Sequence, residues 1–279
     1  MDINTVTSFR SARTRTDLAL APGEVFIAGG TWLMSEPQPA TTGFVDLTTL
    51  DWPDIEVSEA GLRIGATCTI ARLLAWSKGE KIPDAAPRPA EWTALDIVPD
   101  AADALLASFK IWNTATIGGN LGRAFCAGAM ISLTAGLDGT ALIWRPDGTE
   151  RTVAVADFPT GNGTHVLERG EVVRAIDLPS TALRGRALLR KIALAELGRS
   201  GAVVTARRDE DGSSTFVITA ATLTPQVLRF AGIPDAAALA SAVATASGYY
   251  TDPLGPADWR RAVSAALAER LRRDLGGVA

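Results

Sequence analysis

The sequence predicts an α+β chain in two parts, with a boundary near residue 180. Three observations carry this expectation. The chain has 279 residues, more than one ordinary compact core holds. Short apolar runs bounded by Gly, Pro and Asp turns alternate with helical stripes up to residue 179. Beyond residue 180 the pattern changes to longer strands and closes on one amphipathic helix. The expected units are 1–179, itself split near residue 50 into two α/β subdomains, and 180–279.

The elements follow in order. The run Val25 to Ala28 reads as a buried strand that stops at Gly29-Gly30-Thr31. A helix-like segment from Trp32 to Ser35 precedes Pro37 and Pro39, and Phe44 to Leu47 forms another strand. Ile55 to Val57 and Leu62 to Ile64 flank Glu59-Ala60-Gly61 as a hairpin. Thr67 and Thr69 are candidate N-caps for a helix from Ile70 to Trp76. Residues 79–90 form a loop, Ala101 to Ser108 a helix, and Ile111 to Ile117 an extended segment ending in Gly118-Gly119. Ala129 to Leu137 is helical or buried, and a second hairpin turns at Pro146-Asp147-Gly148. Val172 to Leu178 is a strand closed by Pro179. Past the seam come strands Leu188 to Ala193, Ala202 to Arg207 and Thr215 to Leu223, then helices Ala236 to Ala246 and Ala257 to Leu275. Trp259, Ala262, Val263, Ala266, Leu267 and Leu271 give the last helix its apolar stripe.

Composition narrows the function. Apolar residues make up 47% and charged residues 21%, which excludes a disordered or collagen-like chain. Net charge is -4, and the arginines at 260, 261, 270, 272 and 273 are interleaved with Asp258, Glu269 and Asp274. That pattern reads as a solvated helix face and argues against nucleic acid. Two distant cysteines, Cys68 and Cys126, and one histidine, His165, are too few for a zinc site or an iron–sulfur cluster on this chain. They read as two small buried thiols and a loop histidine, in a reducing, cytoplasmic compartment. Arg10, Arg13 and Arg15 lie among Ser and Thr, and a surface helix or strand is favoured there over a transit peptide. No run approaches the ~20 apolar residues of a membrane span.

The standard G-x-G-x-x-G turn, the P-loop and the G-x-S-x-G elbow are absent. What remains is two glycine pairs, Gly29-Gly30-Thr31 and Thr116-Ile117-Gly118-Gly119-Asn120, each after an apolar extended run. Glycine accepts φ > 0 and leaves no Cβ in the way of an anion. Backbone N–H groups in such a turn bind phosphate, and each N–H to a charged oxygen contributes about 1.5–3 kcal/mol. Thr31 adds a hydroxyl. Asn120 can donate its amide or brace the turn. Either pair alone is equally well an ordinary tight turn; the two together point to a diphosphate.

The segments FIAGGTWL, GFVDLTTL, LRIGATCTIARLL, NTATIGGNLGRA and GEVVRAIDLP come in the order and spacing of one known family. The chain resembles the FAD-binding medium subunits of the molybdenum hydroxylases, of xanthine dehydrogenase and carbon monoxide dehydrogenase type. The resemblance covers nearly the whole chain, including the Asp258-Trp259-Arg260-Arg261 stretch of the second domain. It implies a two-part, vanillyl-alcohol-oxidase-like FAD domain followed by a small α+β domain with a three-stranded antiparallel sheet. It implies diphosphate contacts from Ala28, Gly29, Gly30, Thr31, Trp32 and Leu33, and from Thr116, Gly118, Gly119 and Asn120. Val173 would approach the isoalloxazine through its backbone and Lys191 would stand at its edge, although Val173 is equally a strand core residue and Lys191 a plain surface lysine.

The implied function is electron relay. The chain would take electrons from the [2Fe-2S] clusters of a small partner subunit, fed by a large molybdenum-cofactor subunit, and pass them to NAD+, oxygen or another acceptor. The family expectation is a heterotrimer or a dimer of heterotrimers. No catalytic acid or base is expected on this chain. Three positions depart from the family pattern. Trp32 replaces the usual Asp, Trp112 replaces an Arg, and Phe125-Cys126-Ala127-Gly128-Ala129 lacks the acid that follows the second turn. An FAD-free structural subunit bridging the same partners is therefore the competing reading. A stand-alone oxidase is disfavoured because no substrate-facing His or Tyr cluster is present.

Overall fold

Three larger sheets organise the chain in the computed structural model, which describes residues 3–105, 108–196 and 198–276. The first is a parallel sheet of β1 (Ser8–Ser11), β2 (Glu24–Ile27) and β3 (Gly43–Asp46) in the order β1-β3-β2. β1 carried no periodic signal because three of its four residues are exposed. It is fixed by pairing with β3 and by Arg10, which donates to Glu24 through Nε and Nη2 at 3.0 and 2.8 Å.

Next come β4 (Ile55–Ser58), β5 (Gly61–Gly65), α1 (Ile70–Ser77), α2 (Val98–Ala104), α3 (Phe109–Trp112), α4 (Ile117–Arg123) and α5 (Ala129–Gly136). They are followed by β6 (Thr140–Trp144), β7 (Glu150–Ala154), the short pair β8 (Pro159–Gly161) and β9 (Thr164–His165), and β10 (Val172–Pro179). The second sheet has the order β4-β5-β10-β6-β7 with antiparallel neighbours. Thr69, rather than Thr67, caps α1 by accepting from Arg72 N at 3.2 Å.

The extended reading of 111–117 is corrected here. α3 ends at Trp112 and α4 begins at Ile117, with a turn at 113–114 between them, and Gly118-Gly119 lie in the first turn of α4. Thr116 starts that helix by accepting from Gly119 N at 3.0 Å, which outweighs the low helix propensity of two glycines. The expected helix 101–108 starts earlier, with Pro99 in its first turn, and ends at Ala104. Residues 106 and 107 of that expectation lie outside the described residues. His165 is placed on β9 against Phe158, ring centroids 5.8 Å apart, and not on a free loop.

The remaining elements are α6 (Ser180–Arg184), β11 (Arg186–Ala193), β12 (Ser200–Arg208), β13 (Ser214–Thr219), β14 (Gln226–Phe230), α7 (Ala236–Thr245) and α8 (Ala257–Gly276). The C-terminal sheet has four strands in the order β11-β12-β13-β14, and not three. β14 follows Pro225 as an edge strand, so its half-exposed QVLRF lacks the alternation of a strand with one buried face. The expected strand to Leu223 stops at Thr219, where Ala220 turns to φ +61°.

β12 and β13 are buried on both faces. Ala202, Val204, Ala206, Phe216 and Ile218 pack on one side with Leu239, Val243, Leu267 and Leu271 of the last two helices. Val203 and Val217 point the other way, into the core of the first two sheets. All eight residues of α5 are buried. Ser132 meets Thr219 hydroxyl to hydroxyl at 2.6 Å, tying α5 to the C-terminal sheet. Arg260 is another correction. It lies fully buried rather than on a solvated face, because its guanidinium reaches carbonyls of three separate segments.

Glu171, its side chain 2% exposed, accepts from Arg151 at 2.6 and 2.8 Å and from Arg145 at 3.2 Å. The Arg151 hydrogen bonds lead in holding its carboxyl at about 2, below the ordinary 4.5, with help from Glu168 N and Arg145. A depressed carboxylate stabilises the fold above its unfolded value, and that contribution is lost as pH falls from about 4.5 towards about 2. Glu171→Gln is expected to lower the melting temperature at pH 7 and to flatten its fall between those two pH values. Parallel melting curves for variant and parent across this window would refute the assignment.

Candidate cofactor site

The first glycine turn leaves the end of β2. Gly30 holds φ +65°, a left-handed conformation that suits glycine, and Met34 N donates back to Gly30 O at 2.8 Å to close one helix-like turn. Among the described residues, no backbone N–H from Ala28 to Leu33 donates to another group of the chain. Ala28, Gly29, Gly30, Thr31, Trp32 and Leu33 are all half-buried. Consecutive N–H groups left without acceptors in such a turn can receive an anion. The Thr31 hydroxyl likewise makes no hydrogen bond.

The second turn is built differently. Ile117 N donates to Cys68 O at 2.9 Å, Gly118 N to Ala66 O at 2.9 Å, Gly119 N to Thr116 Oγ1 at 3.0 Å and Asn120 N to Thr116 O at 2.9 Å. These N–H groups are already bonded inside the protein. Gly118 is glycine because a Cβ there would lie 2.5 Å from the Ala66 Cβ. Gly119 is exposed, and a Cβ on it would meet only the Thr116 hydroxyl. Asn120 Oδ1 accepts from Met130 N at 3.0 Å and braces the start of α5, which leaves its amide NH2 without a partner among the described residues.

The fold brings the two turns together. A Cβ on Gly29 would lie 1.8 Å from Thr114 O, so the first turn touches the backbone leading into the second. Ala66 joins the cluster to β10, accepting from Gly118 N while its own N donates to Arg174 O at 3.1 Å. Val173, one residue before that point, is a buried strand residue opposite Ile143, next to a bulge. Lys191 lies elsewhere. Its Nζ donates to Asp103 O and to Glu196 O, and it lines a cleft of about 340 Å³ with Asp100, Asp103, Arg190 and Arg270. No hydrogen bond joins Lys191 to either turn.

An aromatic stack, which the sequence reading missed, closes the cluster. The Arg123 guanidinium, at the end of α4, lies 3.7 Å from the Trp32 ring centroid and 4.0 Å from that of Phe125. Trp32 and Phe125 meet edge to face at 6.4 Å. Two departures from the family pattern, far apart in sequence, thus touch in space. Trp112, the third, keeps its buried Nε1 without a partner.

The family described as the FAD binding domain in molybdopterin dehydrogenase matches residues 8–181. The chain belongs to this family. Its FAD-binding domain accounts for more than half of the sequence, and the resemblance seen in the glycine turns is borne out. The fold also matches solved structures along nearly its full length. Reconstituted CO dehydrogenase from Oligotropha carboxidovorans gives a TM-score of 0.80 at 19% identity, covering 98% of both chains. CO dehydrogenase from Hydrogenophaga pseudoflava gives 0.76 at 20%, covering 95% of this chain and 96% of that one. Quinoline 2-oxidoreductase from Pseudomonas putida 86 gives 0.75 at 21%, covering 96% of both. No curated protein sequence matches significantly. As a member of a family of flavin-dependent oxidoreductases, the chain takes FAD as its cofactor. The residues present fit that group: the first turn offers unbonded N–H donors, and the second leaves an exposed glycine with no Cβ where a phosphate can approach.

Proposed function

We propose that this chain is the electron-transfer subunit of a molybdenum-containing hydroxylase or dehydrogenase, carrying FAD between partner subunits. The observation that carries this reading is the unbonded N–H cradle from Ala28 to Leu33, set against an exposed Gly119 in a family defined by FAD. In this reading Ala28 to Leu33 hold the diphosphate. Thr116 fixes α4 so that Gly119 and the Asn120 amide face the cofactor. Gly118 permits the close approach to Ala66. Val173 supports the site from β10, and Lys191, which the resemblance implies at the isoalloxazine edge, would stand in the β11 cleft, away from both turns. Bound FAD supplies chemistry that exchanges electrons singly or in pairs; the chain supplies position, charge and exclusion of water.

The large molybdenum subunit and the small [2Fe-2S] subunit belong to this proposal, as do a cytoplasmic location and a functional division into 1–179 and 180–279. No helix of the described residues is long and apolar enough to cross a membrane. The bonded N–H groups of the second turn and the missing acid keep the FAD-free scaffold as the alternative.

The chain purified with its partners is expected to show flavin absorption near ~450 nm and to release FAD on denaturation. Gly119→Val is the informative variant, because that position is exposed and a Cβ there would meet only the Thr116 hydroxyl, at 2.8 Å. It should fold, assemble and lose the flavin colour. A correctly assembled, colourless wild-type complex that stays so with added FAD would establish the scaffold reading instead.

A further inference from the structure

Two arginines approach the ring of Phe125. Arg123 lies 4.0 Å and Arg199, from the connection between β11 and β12, 5.3 Å from its ring centroid. Neither guanidinium makes a hydrogen bond, and neither has a carboxylate oxygen within the 4.0 Å of an ion pair, among the described residues. Arg123 Nε is buried and has no partner. Half-buried cations that share one ring and no counter-charge repel each other, and an unbonded buried donor is costly. The aromatic faces of Trp32 and Phe125 offset part of this for Arg123, but a ring satisfies no N–H in the guanidinium plane. Burial lowers the Arg123 pKa, with Glu36 opposing at a distance, in line with a cation that lacks its anion.

The position of Arg123 points to the anion. Trp32 belongs to the cradle of unbonded N–H groups, and Arg123 stacks on its ring. Arg123 also ends the helix that Gly118 and Gly119 begin. The α4 end is held in place by Gly163 N, which donates to Ala124 O at 2.8 Å. We propose that Arg123 and Arg199 form a cationic clamp on the diphosphate of FAD, an inference that rests on the FAD-subunit reading above. The clamp supplies the charge complement of an anionic ligand in a site whose second turn has its N–H groups already bonded. Trp32 then serves as the platform that orients Arg123, which gives the residue at the usual Asp position a role.

The test uses the full chain stripped of FAD, with FAD affinity read by fluorescence quenching at several salt concentrations and apoprotein stability read by melting. Arg123→Gln is expected to weaken FAD binding at least about tenfold and to flatten its salt dependence. The same variant should leave the apoprotein melting point unchanged or higher, because an unpaired cation has been removed. Arg199→Gln should act in the same direction. Arg123→Lys, which keeps the charge, should retain the wild-type salt dependence. Wild-type affinity and salt dependence in Arg123→Gln would overturn the clamp. So would a fall of several degrees in the apoprotein melting point, which would make Arg123 a structural strap. If Arg123→Gln does not fold, loss of salt dependence in Arg123→Lys overturns it equally. A wild-type chain that binds no FAD removes the proposed function itself, and the clamp with it.

Discussion

Gly29→Ala is expected to leave the protein without detectable FAD. The methyl group would lie 1.8 Å from Thr114 O, 2.7 Å from Thr114 C and 3.2 Å from Ala115 Cα. Every one of these is a backbone atom, so no rotamer change relieves the overlap. The opposing backbone, in the connection between α3 and α4, cannot yield cheaply. Thr114 N and Ala115 N donate to Ile111 O at 3.0 and 2.7 Å, and Ala115 O accepts from Ile70 N at 3.0 Å. The turn itself must therefore move, and its N–H groups leave the positions in which they would bind the diphosphate in the proposed function. Losing two charge-assisted hydrogen bonds costs about 3–6 kcal/mol, or about a hundredfold or more in affinity. Overpacking adds about 1–3 kcal/mol of destabilisation. Absorbance of the purified variant and its melting curve read the two effects separately. A variant with wild-type flavin content would show that the contact between the turns is not needed for binding.

Arg260→Ala is expected to have the largest effect on stability. Arg260 is completely buried at the start of α8. Its Nη1 donates to Gly201 O and Ala220 O, each at 2.6 Å, its Nε to Gly255 O at 3.2 Å, and its Nη2 pairs with Asp252. Its guanidinium also stacks 4.1 Å from the Tyr250 ring centroid. One planar side chain thus satisfies β12, the end of β13 and the turn before α8 together. Truncation strands these acceptors and leaves Asp252 without its cation, a loss of about 3–5 kcal/mol. That is a large share of the ~5–15 kcal/mol that holds a domain together. Arg260→Lys should recover little, because an ammonium cannot span acceptors arranged for a planar fork. Urea unfolding measures both. A shift below about 1 kcal/mol for Arg260→Ala would mean that water or rearrangement replaces these bonds.

The damage should also reach the cofactor site. Ala220 N donates to Cys126 O at 2.8 Å, in the segment that carries Phe125. Arg199 approaches the same ring from the β11–β12 connection. Stability of the C-terminal unit and geometry around the Trp32, Arg123 and Phe125 cluster are therefore linked through one short loop.

The strands Val25 to Ala28 and Val172 to Leu178, the capped helix at Thr69 and the first glycine turn were legible because each is a local pattern. An apolar period, a hydroxyl before a helix and a paired glycine act over a few residues. β1 and β14 were not legible, since exposed or edge strands are fixed by their neighbours' hydrogen bonds and not by their own periodicity. The helical character of Gly118-Gly119 was hidden for a related reason. Propensity opposes it, and the Thr116 cap and the approach to Ala66 decide it.

By itself the sequence determined the family, its FAD cofactor and the α+β organisation, because these rest on residues adjacent in the chain. Only the tertiary structure decided how the turns divide their work, the first keeping its N–H groups free and the second bonding them to the protein. Only the tertiary structure could place Trp32, Arg123, Phe125 and Arg199 around one point, or bury Arg260. Charge and solvation at a side chain depend on what long-range folding sets beside it, and no local pattern records that.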